Sequence, residues 1–146
     1  MKKIFILIVI AILMTGCSNK IEKFYLTDKY YNDGEFIKVE STDVNNLNNE
    51  SYVLFTYNNF CNMQIPCEKI FKEFMEKYKI NFLSIPYENF KDTELHKTVE
   101  FAPSIIIVNN GKIIKYLDAE KDEDLKRYQD LNEFESWISK YIYLEK

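Results

Sequence analysis

The fold is decided by residues 52–79, YVLFTYNNFCNMQIPCEKIFKEFMEKYK. This stretch begins with a β-branched and aromatic run, residues 52–57, which predicts a buried strand. Pro66 then predicts the start of a helix, because its fixed φ and missing N–H are tolerated in a first helical turn. The apolar residues that follow recur with helical spacing: Cys67, Ile70, Phe71, Phe74, Met75 and Tyr78. Cys61 and Cys67 therefore bracket a loop that leads into a helix N-terminus, where the helix dipole stabilises a thiolate.

The composition is that of one globular domain preceded by a leader. The chain has 146 residues, of which 47% are hydrophobic and 16% aromatic, enough to build a core. Without residues 1–16, which contain two lysines, it keeps 17 basic and 23 acidic residues and a net charge of −6. An acidic surface of this kind repels phosphate backbones, so nucleic-acid binding is not expected.

The N-terminus has the pattern of a secretory signal. Lys2 and Lys3 precede an unbroken apolar run at residues 4–14, which is shorter than the roughly 20 residues that span a bilayer. The segment LMTGC, which ends at Cys17, resembles a bacterial lipobox. The resemblance implies cleavage before Cys17 and attachment of a lipid such as palmitate. The alternative is an uncleaved anchor or an ordinary signal peptide with an incidental cysteine.

Three regions follow from this interpretation. Residues 1–16 are expected to be a lipoprotein signal peptide, residues 17–34 a polar tether, and residues 35–146 the folded domain. The domain is therefore expected to be extracytoplasmic, attached to the bacterial membrane by a lipid anchor at Cys17.

Strands and helices are predicted to alternate along the domain. Apolar or β-branched runs predict further strands, at residues 36–39, 80–85, 105–108 and 112–116. Asn110-Gly111 predicts a hairpin turn between the last two strands. Helices are predicted near residues 42–49, over residues 88–99 and after Asp130, which with Glu133 forms a capping pair. The charged run at 118–130 is expected to be a solvated surface segment.

This order of elements resembles the thioredoxin fold. We therefore expect an α/β protein with a central mixed β-sheet flanked by helices. Cys61 follows an aromatic residue and Cys67 follows a proline, as in the two halves of that family's active-site motif. Ala102-Pro103 resembles the family's proline loop, in which the proline is cis and its preceding backbone pairs with substrate peptide. The resemblance implies that Cys61 is the nucleophile, that Cys67 is the resolving thiol, and that Ala102 and Pro103 bind substrate.

The chain departs from the family pattern at three places. Its cysteines form an expanded Cys-x5-Cys motif, whereas the family has two residues between them. Glu68 follows Cys67 where a lysine is common, and a neighbouring carboxylate raises the pKa of a thiol. Phe55 occupies the register of the family's buried aspartate. All three departures argue against a fast general reductase. Helix geometry also favours the reverse assignment, in which Cys67 is the nucleophile. The extra residues carry Cys61 away from the helix dipole, whereas Cys67 stays in the first turn.

The predicted function is thiol–disulfide exchange on protein substrates by a membrane-anchored protein, without an organic cofactor or metal. The alternative is a non-catalytic binding or accessory module, for example in export or bacteriocin systems, in which a Cys61–Cys67 disulfide is structural. A third, weaker hypothesis is copper delivery by these cysteines with His96, the only histidine. With Cys17 lipidated, two thiols and one imidazole fall short of the four ligands of a structural zinc site.

Overall fold

The computed structural model describes residues 22–58 and 66–146. Its strands are β1 Phe36–Lys38, β2 Tyr52–Tyr57, β3 Phe82–Pro86, β4 Ser104–Asn109 and β5 Lys112–Asp118. Its α-helices are α1 Ser41–Asn46, α2 Cys67–Tyr78, α3 Tyr87–Phe90, α4 Asp122–Gln129 and α5 Leu131–Ile138. Short 3₁₀ helices lie at Asp28–Tyr30 and Glu94–Lys97. Within these two ranges, no helix has the length and apolar composition that crossing a membrane requires.

The strands form one mixed sheet in the order β1-β3-β2-β4-β5. Strands β1 and β2 run parallel to β3, whereas β4 is antiparallel to both β2 and β5. In the central strand β2, Leu54 pairs with Leu83 on one side and with Ile106 on the other. Burial on both faces explains why β2 reads as a continuous apolar run. The sheet and its flanking helices are the α/β architecture that the sequence predicts.

Helix α2 packs its apolar face against the sheet and against α5. Phe71 is completely buried, and its ring meets that of Phe55 edge to face with 5.2 Å between centroids. On its other side, the Phe71 ring lies 4.8 Å from the ring of Phe134 in α5. The predicted helical spacing is therefore confirmed. Because Cys67 is the first residue of α2, this packing fixes where its thiol lies.

The segment ahead of β1 belongs to the folded domain. Leu26 and Tyr30 are buried in the core, and Phe24 forms a parallel bridge with Ile142 near the C-terminus. The folded domain therefore begins no later than Phe24, whereas the expected boundary was residue 35. Part of the segment expected to be a tether, residues 17–34, therefore belongs to the fold. Its apolar side chains are spaced irregularly, and such spacing gives no periodic signal.

Two further predictions are wrong in detail. The helix expected over residues 88–99 is divided into α3 and a 3₁₀ helix, and the Thr93 hydroxyl donates to the Phe90 carbonyl at 2.8 Å at the break. A β-branched hydroxyl residue that bonds its own backbone competes with helix continuation. The charged run at 118–130, expected to be solvated surface, contains α4, whose Tyr128 is buried in the core.

The predicted hairpin between β4 and β5 is confirmed. Asn110 and Gly111 both have positive φ, 48° and 72°, as a two-residue turn between antiparallel strands requires. A side chain at Gly111 has no room, because a Cβ there would lie 2.3 Å from the carbonyl oxygen of Asn48. The turn is therefore tied to the loop between α1 and β2.

Candidate functional site

The candidate site lies where α2 begins at the end of the sheet. Cys67 is 4% exposed and is the first residue of α2, directly after Pro66. The N–H groups and the dipole at a helix N-terminus favour negative charge on a thiol. Cys61 lies outside the described residues, so its pairing with Cys67 remains a prediction. Cys17 also lies outside them.

The Ala102–Pro103 loop is held at the same end of the sheet. The Ala102–Pro103 peptide bond is cis, which confirms the predicted isomer. The side chain of Asn58, the residue after β2, donates to the Ala102 carbonyl at 3.0 Å. Pro103 is buried, whereas Phe101 is 47% exposed. The loop therefore has a fixed backbone and an aromatic side chain open to solvent. The binding of substrate by Ala102 and Pro103 remains a prediction.

Tyr128 is hydrogen-bonded to this loop and lies within electrostatic range of Cys67. It is completely buried, and its hydroxyl donates to the Pro103 carbonyl at 2.9 Å. Burial raises the pKa of Tyr128 well above its usual value, and the charge of a Cys67 thiolate raises it further, as do the nearby carboxylates of Asp124 and Asp118. Tyr128 therefore remains a neutral hydrogen-bond donor at physiological pH and lies within electrostatic range of the thiol.

Tyr128 was not among the site residues predicted from the sequence. It lies in a run dominated by charged side chains, which favoured a solvated segment. The sequence carried no clear signal of this burial, because Asp124, which shares a helix face with Tyr128 at i and i+4, is charged. Both residues are buried on that face of α4, where the Asp124 carboxylate accepts from the Asp118 backbone N–H at 3.1 Å and pairs with Arg127.

A pocket lined by three aromatic and three polar side chains lies beside the start of α2. It measures about 190 Å³ and is lined by Phe36, Lys38, Phe55, Tyr57, Glu68 and Ser84. Phe55 is buried, and its ring lies 5.5 Å from that of Phe36 and 5.7 Å from that of Tyr57. Glu68 is exposed to solvent at the helix start. Where thioredoxins have a buried aspartate, this chain has Phe55. The side of the pocket at that position is therefore an aromatic ring and not an acid–base group.

His96 packs against aromatic side chains. Its ring lies 5.9 Å from that of Tyr87 and 5.8 Å from that of Phe90. No group of three metal-ligating side chains occurs within residues 22–58 and 66–146. The copper hypothesis also requires Cys61, which lies outside these ranges.

Comparisons with known proteins bear on the N-terminal segment and on the folded domain separately. Residues 1–18 match the family model of the prokaryotic membrane lipoprotein lipid attachment site. Thioredoxin of Schistosoma mansoni superposes with a TM-score of 0.52 at 19% identity, over 76% of this chain and 99% of its own. A thioredoxin of Nicotiana alata gives a TM-score of 0.51 at 19% identity, over 73% and 91% of the two chains. No curated protein sequence matches the chain. The chain therefore combines a match to a prokaryotic lipoprotein lipid attachment site at residues 1–18 with a domain of thioredoxin fold.

Proposed function

We propose that this protein carries out thiol–disulfide exchange on protein substrates at the extracytoplasmic surface of the membrane. The observation that carries the proposal is the position of Cys67. Cys67 is the first residue of α2, and its thiol is buried. The thiol lies within electrostatic range of Tyr128, whose hydroxyl is hydrogen-bonded to the Pro103 carbonyl. The signal-type N-terminus supports the extracytoplasmic side, because such segments direct export.

The exchange proceeds in two steps. The Cys61 thiolate attacks one sulfur of a substrate disulfide, which breaks the substrate S–S bond, forms a mixed disulfide and releases the other substrate sulfur as a thiolate. The Cys67 thiolate then attacks the Cys61 sulfur. A Cys61–Cys67 disulfide forms, the substrate leaves as a dithiol after taking up two protons, and two electrons have passed to it. The reverse sequence oxidises a substrate dithiol.

The burial of Cys67 supports this division of roles. A folded protein substrate cannot bring its disulfide sulfur to a thiol that is 4% exposed, whereas a cysteine on the preceding loop needs only to approach Cys67 within the same chain. The helix dipole acts in the opposite sense, because it stabilises negative charge on a group in the first turn. Trapping of the reaction intermediate distinguishes the two assignments.

Cysteine variants of the full chain provide this test. Cys67→Ser leaves Cys61 able to attack and unable to be resolved, so mixed disulfides with other membrane or exported proteins accumulate and disappear on reduction. The Cys61→Ser, Cys67→Ser double variant is the matched control and traps nothing. Trapping only with Cys61→Ser would exchange the two roles. Absence of trapping in both single variants would refute the exchange proposal.

A non-catalytic binding module is the second candidate, favoured by the surface around Phe101. This exposed ring lies beside a pocket of about 220 Å³ that Thr98, Tyr116 and Asp118 help to line. A peptide segment that docks there needs no redox chemistry, and the apolar wall at Phe55 agrees with that role. If neither single cysteine variant traps a partner, both lower the melting temperature, and the disulfide potential lies below about −300 mV, the bridge is structural and this function replaces exchange.

A further inference from the structure

A polar pocket of about 290 Å³ lies between β5, α4 and α5, separate from the cysteine site. Its lining includes four cationic side chains, Lys115, Lys121, Arg127 and Lys140, and two carboxylates, Glu123 and Asp124. Two positive charges are therefore in excess. This local excess contrasts with the chain as a whole, which has a net charge of −4. The pocket is a place where an anion is attracted to an otherwise acidic protein.

Lys115 and Lys140 are the cations available to a ligand. Arg127 is already paired with Asp124, and the Nζ of Lys121 lies 3.8 Å from the Asp118 carboxylate. Lys115 and Lys140 form no ion pair among the described residues, and both side chains are exposed. They reach the pocket from different segments, Lys115 from β5 and Lys140 from the turn after α5. An ammonium group has three donors and no acceptor, so an anionic oxygen is the ligand atom it prefers.

Trp137 adds an unsatisfied donor at the same place. It lines the pocket and is 3% exposed, and its indole Nε1 has no hydrogen-bond partner within the described ranges. A buried N–H without an acceptor is unfavourable, and most such groups in folded proteins are bonded. Because the indole ring lines the pocket, its emission responds to a charge that binds there.

We propose that this pocket binds the phosphate group of a small phosphate ester or of inorganic phosphate. A tetrahedral anion, with acceptor oxygens on all sides, can accept hydrogen bonds from the exposed ammonium groups of Lys115 and Lys140 at the same time. The volume of about 290 Å³ admits a phosphate group with a short substituent, and the rings of Tyr116 and Tyr141 line the same pocket. On a membrane-anchored protein, the phosphate comes either from solution or from a phospholipid headgroup.

Fluorescence of Trp137, the only tryptophan, tests the proposal directly. The full chain in neutral detergent is titrated with inorganic phosphate at constant ionic strength, because added salt screens exposed charges. We expect a saturable change in emission. In the pocket variant Lys115→Gln/Lys140→Gln, the phosphate concentration at the midpoint of the titration should rise at least about tenfold, because one or more charge-assisted hydrogen bonds are lost.

The matched control is Lys69→Gln/Lys72→Gln, which removes the same charge from exposed lysines of α2, outside the pocket. In a second arm, the full chain is reconstituted into phosphatidylcholine vesicles with and without phosphatidylglycerol. A response to free phosphate that the pocket variant loses and the control variant keeps supports a soluble source. If this difference between the variants is seen only with vesicles that contain phosphatidylglycerol, and not with free phosphate, the phospholipid headgroup is the source of the phosphate. No saturable response in either arm, or equal responses from both variants, would overturn the proposal.

Discussion

Tyr128→Phe tests whether a buried hydroxyl holds the Pro103 loop in place. The change removes one oxygen and keeps the ring, so the edge-to-face contact with Phe71, 5.8 Å between centroids, is retained and no large cavity opens. The Pro103 carbonyl loses the donor that lies 2.9 Å away in a buried site. An unmade hydrogen bond of this kind costs about 1–3 kcal/mol. For a domain of this size the melting temperature should fall by roughly 4 °C per kcal/mol.

The assay is urea and thermal unfolding of the full chain, followed by circular dichroism. Tyr143→Phe is the matched control, because Tyr143 is 41% exposed and its hydroxyl donates no hydrogen bond in the described part of the chain. The control should change the free energy of unfolding by less than about 0.5 kcal/mol. Equal effects of the two substitutions would refute the idea that the Tyr128 hydroxyl supports the loop.

A double-mutant cycle with Asn58→Ala then asks whether the two hydrogen bonds act on one structural unit. Asn58 holds the Ala102 carbonyl and Tyr128 holds the Pro103 carbonyl, so loosening the loop with one change should reduce the cost of the other. We expect a coupling energy of about 0.5 kcal/mol or more. Additive effects would mean that the two ends of the loop are anchored independently.

Three further predictions concern anchoring, the hairpin and alkaline stability. Cys17→Ala should abolish incorporation of a fatty-acid analogue and release the protein from membranes, and labelling that persists would contradict attachment there. Gly111→Ala should destabilise the domain by more than about 1 kcal/mol in urea unfolding, because its φ is positive and a Cβ would meet a backbone oxygen; Asn110→Gly, at a second positive φ, should be nearly neutral. Burial raises the pKa of Tyr52 to about 12, whereas the unfolded chain ionises near pH 10. Stability should therefore fall from about pH 10 to 12 by up to about 1.4 kcal/mol per pH unit from this residue, and Tyr52→Phe should make the fall shallower; an unchanged slope would contradict this.

Prediction from sequence succeeded where the physical cause is local. The run at 52–57 is a short, continuous stretch of β-branched and aromatic residues, and the run at 67–78 repeats with the helical period. Strand β2 and helix α2 are therefore readable without knowing their neighbours. Asn110-Gly111 is readable for a related reason, because few residues adopt two successive positive φ angles. The cis bond at Ala102–Pro103 was predicted through the resemblance alone, since the residue types do not specify the isomer.

Sequence by itself also determined the lipid attachment site, because that signal is a linear pattern. Only the tertiary structure decided the environment of Cys67. Tyr128 is 25 residues from Pro103 in the chain, and the charges around it indicated a solvated segment. Its burial results from α4 packing against β5, α2 and α5. The cationic pocket around Trp137 likewise exists only where three elements meet. Periodicity reports the backbone conformation of one segment, whereas burial, hydrogen-bond partners and local charge depend on which segments pack together.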